Sequence, residues 1–81
     1  MNVKKPPKVE LTIPIIHDME LAATKTAEVV SKHMGLSEEK TAEISMALIE
    51  ATINAFEHSE SKTSNVVIHF TIQEDTLIIK V

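Results

Sequence analysis

The amino-acid sequence predicts an α+β domain in which an antiparallel sheet carries two helices packed on one face. Two segments, Val9–Ile13 and Val66–Gln73, alternate apolar and polar residues, which is typical of half-buried strands. A short apolar segment, Leu77–Val81, follows a polar turn at Gln73–Thr76, so the last two strands are expected to form a hairpin. Between the first strand and this hairpin, apolar residues recur at spacings of three and four, which predicts helices.

The composition limits the protein to one small domain and excludes several function classes. The 81 residues include no cysteine, which removes disulfides and thiolate metal sites. A net charge of -4 argues against direct binding of nucleic acid or of an anionic membrane. No apolar run is long enough for a signal peptide or a membrane span, so we expect a cytoplasmic protein. No histidine pairs with another at zinc-ligand spacing, and no histidine-based metal site is expected.

The start of the chain predicts a tail and then the first strand. Residues 1–8 contain three lysines and a proline pair, which indicates a mobile basic tail. Residues 9–81 are expected to form the domain. The strand Val9–Ile13 should end at Pro14, because proline cannot donate a backbone hydrogen bond.

Capping signals place the first helix and the start of the second. The first should begin near His17 or Asp18, with Asp18 as the N-cap residue. Gly35 is expected to end it in a left-handed conformation, and Ser37 to cap the second helix. His33 falls on the apolar side of the first helix, which favours a partly buried core position over a ligand role.

The second helix is apolar on two sides. One set of apolar residues is Ile44, Ala47, Leu48, Ala51 and Ala55, and the opposite set is Met46, Ile49, Ile53 and Phe56. A helix of this kind is buried between two layers. We therefore expect it to lie between the sheet and the first helix. The polar segment 59–65 after it predicts a loop.

A polar flank runs between the two apolar faces of the second helix. Glu50, Asn54 and His58 are four residues apart, and each step advances only about 40°, so the three share one side. A carboxylate and an amide in such a helix are costly to bury unless something satisfies them. The same spacing also occurs on ordinary solvated flanks, and Glu43 and Glu57 on this side favour that alternative.

This segment resembles a known family. Glu50-Ala51-x-x-Asn54-Ala55-x-x-His58 is similar to the N box of the Bergerat ATP-binding fold, found in the histidine-kinase-like ATPase superfamily. Within it, the chain is most similar to the anti-sigma factor serine/threonine kinases, and the resemblance covers most of its length. Ser59 stands where relatives often carry glycine. The family's Asp-x-Gly-x-Gly motif and glycine-rich lid do not occur in the sequence, so we expect the N-terminal part of such a domain, an incomplete Bergerat fold.

The resemblance implies roles for five residues. Glu50 would be the catalytic base that accepts the proton of the attacking serine hydroxyl. Asn54 would hold Mg²⁺ through its side-chain oxygen. His58 would act beside them, at the phosphate end or the helix end of the site. Ala51 and Ala55 would let the nucleotide approach closely, although close packing of helix on sheet explains these alanines at least as well.

The resemblance also implies ATP and Mg²⁺ as cofactors, with a sigma factor and an anti-anti-sigma protein as partners. Because the sequence has one glycine and therefore no glycine-rich phosphate loop, we expect the 81-residue chain to bind ATP very weakly or not at all, and to be inactive as a kinase. A non-catalytic dimerisation or partner-binding module of the same fold is the alternative. A phosphodonor domain of a histidine kinase is a third, against which the lack of long dimerisation helices counts.

The sheet edges predict self-association. Leu77–Val81 is an apolar strand, and Val9–Ile13 is a second candidate edge. Unpaired edge strands offer backbone donors and acceptors to another chain. We therefore expect a homodimer or a higher oligomer, with a loosely folded monomer as the alternative.

Overall fold

The computed structural model describes residues 6–58 and 65–81, which form one antiparallel sheet and two helices. In chain order the elements are β1 (Lys8–Pro14), α1 (Glu20–Met34), α2 (Glu38–Glu57), β2 (Asn65–Gln73) and β3 (Thr76–Lys80). The predicted α+β class is confirmed. Residues 1–5 of the predicted tail and residues 59–64 of the predicted loop lie outside the described residues.

The sheet has the strand order β1-β2-β3, and both neighbouring pairs are antiparallel. β1 begins at Lys8, and just before it the carbonyl of Pro7 accepts a hydrogen bond from the backbone N–H of Ile72 (2.9 Å). Glu74 and Asp75 form a two-residue turn between β2 and β3, with Glu74 at a φ of 55°. The predicted hairpin is therefore confirmed.

The sheet has one core face and one polar face, as the alternation in β2 predicts. Its buried residues are Ile13 of β1 and Val66, Ile68 and Phe70 of β2. On the opposite face, His69 lies across from Glu10, with Nδ1 3.2 Å from Oε2. Because only one face is apolar, both helices must cover that face.

Both helices reach the core face of the sheet. Ala23 and Ala27 of α1 are fully buried in the same cluster as Leu48 of α2 and the apolar side chains of β1 and β2. The alanine side chains of α1 are small, so the helix backbone can approach the sheet closely. The helices thus form a single layer over the sheet.

The expectation that α2 lies between the sheet and α1 is wrong. Met46 is 71% exposed and Ile53 is 36% exposed, while Ile49 and Phe56 are only half-buried. Because α1 lies beside α2 and contacts the sheet itself, it covers only the flank of α2 that faces it. Met46 and Ile53 therefore remain in contact with water, whereas Phe56 packs against the edge of the core cluster.

The start of α1 also differs from the prediction. Asp18 is not the N-cap residue, because it adopts a φ of 75° and α1 begins only at Glu20. Met19 occupies the cap position and makes no side-chain cap hydrogen bond. The side chain of Asp18 instead lies 3.3 Å from the exposed ring of His17, while its backbone carbonyl accepts from the N–H of Leu21. A turn at residues 17–19 therefore separates β1 from the helix.

The junction between the helices follows the prediction more closely. Gly35 has a φ of 78°, and Ser37 accepts a hydrogen bond from the N–H of Lys40 (3.0 Å), so both capping predictions are confirmed. His33, however, is exposed rather than partly buried, and so is Val29 (69%). The buried stripe of α1 runs instead through its small residues. Within the described ranges, neither helix combines the length and apolar composition needed to cross a membrane.

Candidate functional site

The polar flank of α2 is open to water. Glu50 and Asn54 lie one turn apart in the second half of the helix, and both are exposed. His58 occupies the C-cap position and is also exposed. Water can hydrate the Glu50 carboxylate and the Asn54 amide, so neither group has the free-energy cost of burial. Exposure of these side chains is expected both for an ordinary hydrated surface and for a surface that binds a ligand.

An apolar groove lies between α2 and β3. Its volume is about 270 Å³, and its lining residues are Ile44, Ala47, Leu48, Ala51, Leu77, Ile79 and Val81. The two alanines give the helix wall small side chains, which leaves room beside the edge strand. Ligand clefts usually measure about 300–1,000 Å³, so this groove is slightly smaller than a typical small-molecule site.

Helix geometry puts Asn54 and Glu50 beside the helix wall of this groove, on its outer rim, although neither is among its lining residues. Seven residues turn a helix by about 700°, so Asn54 projects within about 20° of the direction of Ala47, which lines the groove two turns earlier. Ala51 lines the groove directly, whereas Ala55 is half-buried against the core cluster. Of the residues predicted from the sequence, only Ala51 lines the groove, and Ala55 packs against the core cluster. Glu50 and Asn54 lie on the exposed flank beside the groove, and His58 lies at the end of the helix.

A comparison with protein families decides the class of the domain. The model of the histidine kinase-like ATPase domain matches residues 16–81, a range that contains both helices, β2 and β3. The chain belongs to the histidine kinase-like ATPase domain family. The superfamily inferred from the N-box residues is therefore confirmed, and membership of an ATPase domain family implies ATP as the ligand. No curated protein and no solved structure matches the chain.

The flank of this histidine kinase-like ATPase domain carries side chains of the types that can bind Mg²⁺. Mg²⁺ prefers oxygen ligands and usually binds through one or two protein groups, with phosphates and water completing its shell. Asn54 supplies a carboxamide oxygen, and Glu50 a carboxylate, on an exposed surface. No group of three His, Asp or Glu side chains within residues 6–58 and 65–81 could hold a metal ion alone. The residues present therefore fit a metal that arrives with the nucleotide.

A second groove of this ATPase-like domain lies elsewhere. It measures about 430 Å³ and is lined by Glu28, Lys32, Leu36, Glu38, Thr41, Ala42, Ser45 and Met46. It lies between the end of α1 and the start of α2 and contains none of the N-box residues. Although it is the larger of the two, no N-box residue lines it, whereas Ala51 lines the α2–β3 groove, so we place the candidate site there.

Sequence reasoning did not identify the β3 wall of the groove. Leu77, Ile79 and Val81 were expected to form a strand, but not to face α2 across a gap. Their spacing of two was a usable signal, because it puts all three on the same face of β3. What the sequence could not indicate is that the small side chains of α2 would leave this face only half covered.

Proposed function

We propose that the protein is an ATP-binding anti-sigma regulatory serine/threonine protein kinase, with its N box in α2. The observation that supports this most strongly is that Glu50 and Asn54 lie exposed on the flank of α2 next to Ala51, which lines the apolar groove between α2 and β3. A nucleotide needs both an apolar surface for its base and polar groups for its phosphates, and this edge of α2 offers the two side by side.

Each rim residue has one role in this proposal. Glu50 accepts the proton of a serine hydroxyl as the oxygen attacks the terminal phosphorus of ATP, and ADP leaves. Asn54 binds Mg²⁺ through Oδ1, and the metal supplies charge neutralisation at the phosphates when bound. Ala51 and Ala47 keep the helix wall low, so that a ligand can lie against it.

The partners follow from the anti-sigma resemblance. We infer that the kinase binds a sigma factor and phosphorylates an anti-anti-sigma protein on serine, in the cytoplasm, as a homodimer. The 81 residues contain a single glycine, Gly35, which ends α1. Glycine-based motifs for adenine and for the phosphates are therefore not among them.

The direct test is phosphate transfer by a Glu50→Gln variant of the protein as its gene encodes it. Removing a general base costs about 10²–10⁴-fold in rate, because the serine proton then has no acceptor in place. We expect transfer of radiolabel from ATP to the anti-anti-sigma protein to fall by this factor, while titration shows ATP binding largely preserved.

Glu57→Gln is the matched control for this test. Glu57 is an exposed glutamate on the same helix, two turns beyond Glu50, and lies outside the N-box spacing. This variant should transfer phosphate at the wild-type rate. Normal transfer by Glu50→Gln would remove Glu50 from the role of base.

A non-catalytic dimerisation or partner-binding module is the second candidate. Exposed apolar side chains favour it: Met46 is 71% exposed and Val29 is 69% exposed, on positions that a partner could cover. Such a module would hold a sigma factor without binding Mg-ATP. A wild-type protein that binds a sigma factor but neither binds ATP nor transfers phosphate would favour this candidate over the kinase.

A further inference from the structure

The C-terminal end of α2 is closed by the side chain of His58 as well as by its backbone. The carbonyl oxygen of Asn54 accepts from the backbone N–H of His58 at 3.0 Å, and Nδ1 of the same residue lies 2.9 Å from that oxygen. A carbonyl can only accept, so Nδ1 carries a proton in this contact. One residue therefore occupies both lone pairs of the Asn54 carbonyl.

The last turn of α2 needs this support. The first residues of a helix to fray are those at its ends, where the backbone hydrogen-bond ladder stops. The Asn54 carbonyl already accepts the last backbone bond shown for α2, and the ring of His58 adds a second bond to it. α2 has no basic residue in its last turn, and Glu57 places a negative charge at the negative end of the helix dipole. The φ of His58 is -96°, so His58 itself does not adopt the left-handed conformation that Gly35 has at the end of α1. Asn54 belongs to this last turn.

We propose that His58 is a positioning residue that acts through Asn54, rather than a ligand of the nucleotide. Its ring fixes the turn from which the Asn54 side chain projects onto the rim of the groove. This inference rests on the proposed function only in assigning Mg-ATP as the ligand that Asn54 helps to hold. The contact between His58 and Asn54 exists without it.

The protonation pattern of the ring distinguishes positioning from direct binding. In a neutral imidazole with its proton on Nδ1, Nε2 is an acceptor and has no proton to donate to a phosphate oxygen. A ring that binds phosphate directly needs its proton on Nε2. The Nδ1–H tautomer is therefore the signature of the positioning role, and long-range ¹H–¹⁵N NMR spectra of the chain report it directly.

Two isosteric substitutions separate the two ring nitrogens. Asn places its amide nitrogen on Cγ, where Nδ1 of histidine stands, whereas Gln places its own nearer to Nε2. We expect His58→Asn to bind Mg-ATP like the wild type. His58→Gln and His58→Ala should weaken binding about tenfold, which is typical for loss of a residue that orients a metal ligand.

Each outcome of this experiment is decisive. Retained affinity in His58→Gln with loss in His58→Asn would overturn the proposal in favour of direct contact through Nε2. Wild-type affinity in all three folded variants, or a neutral ring with its proton on Nε2, would overturn it as well. If the wild-type protein binds no Mg-ATP, the proposed function fails. The tautomer and the hydrogen-exchange protection of the His58 amide in His58→Asn and His58→Ala then decide the positioning role alone.

Discussion

At the scale of single residues, Asn54 is the side chain that most clearly links the fold to a ligand. It projects from an exposed flank, close in direction to the alanine wall of the groove, and its backbone carbonyl is fixed by His58. Its carboxamide oxygen is a hard ligand of the kind Mg²⁺ prefers. Glu50, one turn earlier, is also exposed, and its carboxylate can accept a proton.

Asn54→Ala should weaken the magnesium-dependent part of nucleotide binding by about tenfold or more, because the metal loses its protein ligand. ATP titrations with Mg²⁺ and with EDTA, on the protein as its gene encodes it, measure this part. Gln73→Ala is the control, since it removes an exposed carboxamide at the end of β2, on the face of the sheet opposite the buried Phe70. A magnesium dependence equal to that of the wild type would exclude Asn54 from the metal shell.

Local signals predicted individual residues well where one backbone requirement dominated. Gly35 ends α1 because its φ of 78° suits glycine, and Ser37 caps α2 because its hydroxyl reaches a free N–H. Asp18 carried an equally good cap signal but stands in a turn before the helix. An aspartate side chain is favourable both at a helix N-cap and in a tight turn, so the residue type alone does not distinguish the two structures.

At the scale of elements, the buried faces of α1 and α2 contain hydroxyl groups without hydrogen-bond partners. Ser31 of α1 and Thr52 of α2 are fully buried, and their hydroxyl oxygens have no partner within the described ranges. Elsewhere in α1, Thr26 does bond, donating to the carbonyl of Ala22 at 2.9 Å. An unpaired buried hydroxyl costs about 1–3 kcal/mol.

Thr52→Val and Ser31→Ala should therefore stabilise the fold, since each removes an unpaired hydroxyl with little change in shape. A gain of about 1 kcal/mol corresponds to a rise in Tm of about 4–8 °C for a domain of this size. Thermal unfolding followed by circular dichroism measures it. Thr26→Val, which deletes a bonded hydroxyl, should not raise the Tm. A drop in Tm for Thr52→Val would show that its hydroxyl is satisfied in solution.

The sequence predicted the elements, the hairpin and both helices on one face of the sheet, but not how the two helices lie relative to each other. The alternation in β2 and the three-and-four spacing in α2 indicate which apolar residues share a face of each element. They do not fix which neighbour covers each apolar face. The alanines of α1 allow this helix to reach the sheet, so α1 lies beside α2, and Met46 and Ile53 remain exposed. The small residues of α1 determined how the helices pack on the sheet. A pattern of large apolar residues gives little information about positions occupied by alanine.

At the scale of the whole molecule, the sheet ends in two edge strands, β1 and β3, in the part of the chain that the structure describes. Ile78, on the outer face of β3, is 42% exposed, and Val81 beyond it is 50% exposed. An apolar edge of this kind favours pairing with a second strand. A second copy of the same chain would pair β3 with β3, or β1 with β1, about a two-fold axis.

We therefore predict a homodimer in solution. Light scattering on a sizing column should give twice the 9.0 kDa mass of the chain, or a higher multiple, at micromolar concentrations. A single sharp monomer peak at high micromolar concentration, from protein with a cooperative unfolding transition, would contradict this prediction. It would show that the edge strands β1 and β3 do not pair with a second chain.

The α2–β3 groove as part of an ATP site is the central claim, and an NMR titration of the 81-residue chain with Mg-ATP tests it most directly. We predict weak binding, because the groove is smaller than a typical ligand cleft and the 81 residues contain no glycine-rich phosphate loop. The shifted amide signals should be confined to residues 47–54 of α2 and to β3. None should come from the second groove, between the end of α1 and the start of α2, which Met46 lines. Signals that move only around Met46, no shifts along the α2–β3 groove at saturating Mg-ATP, or micromolar affinity would contradict the account.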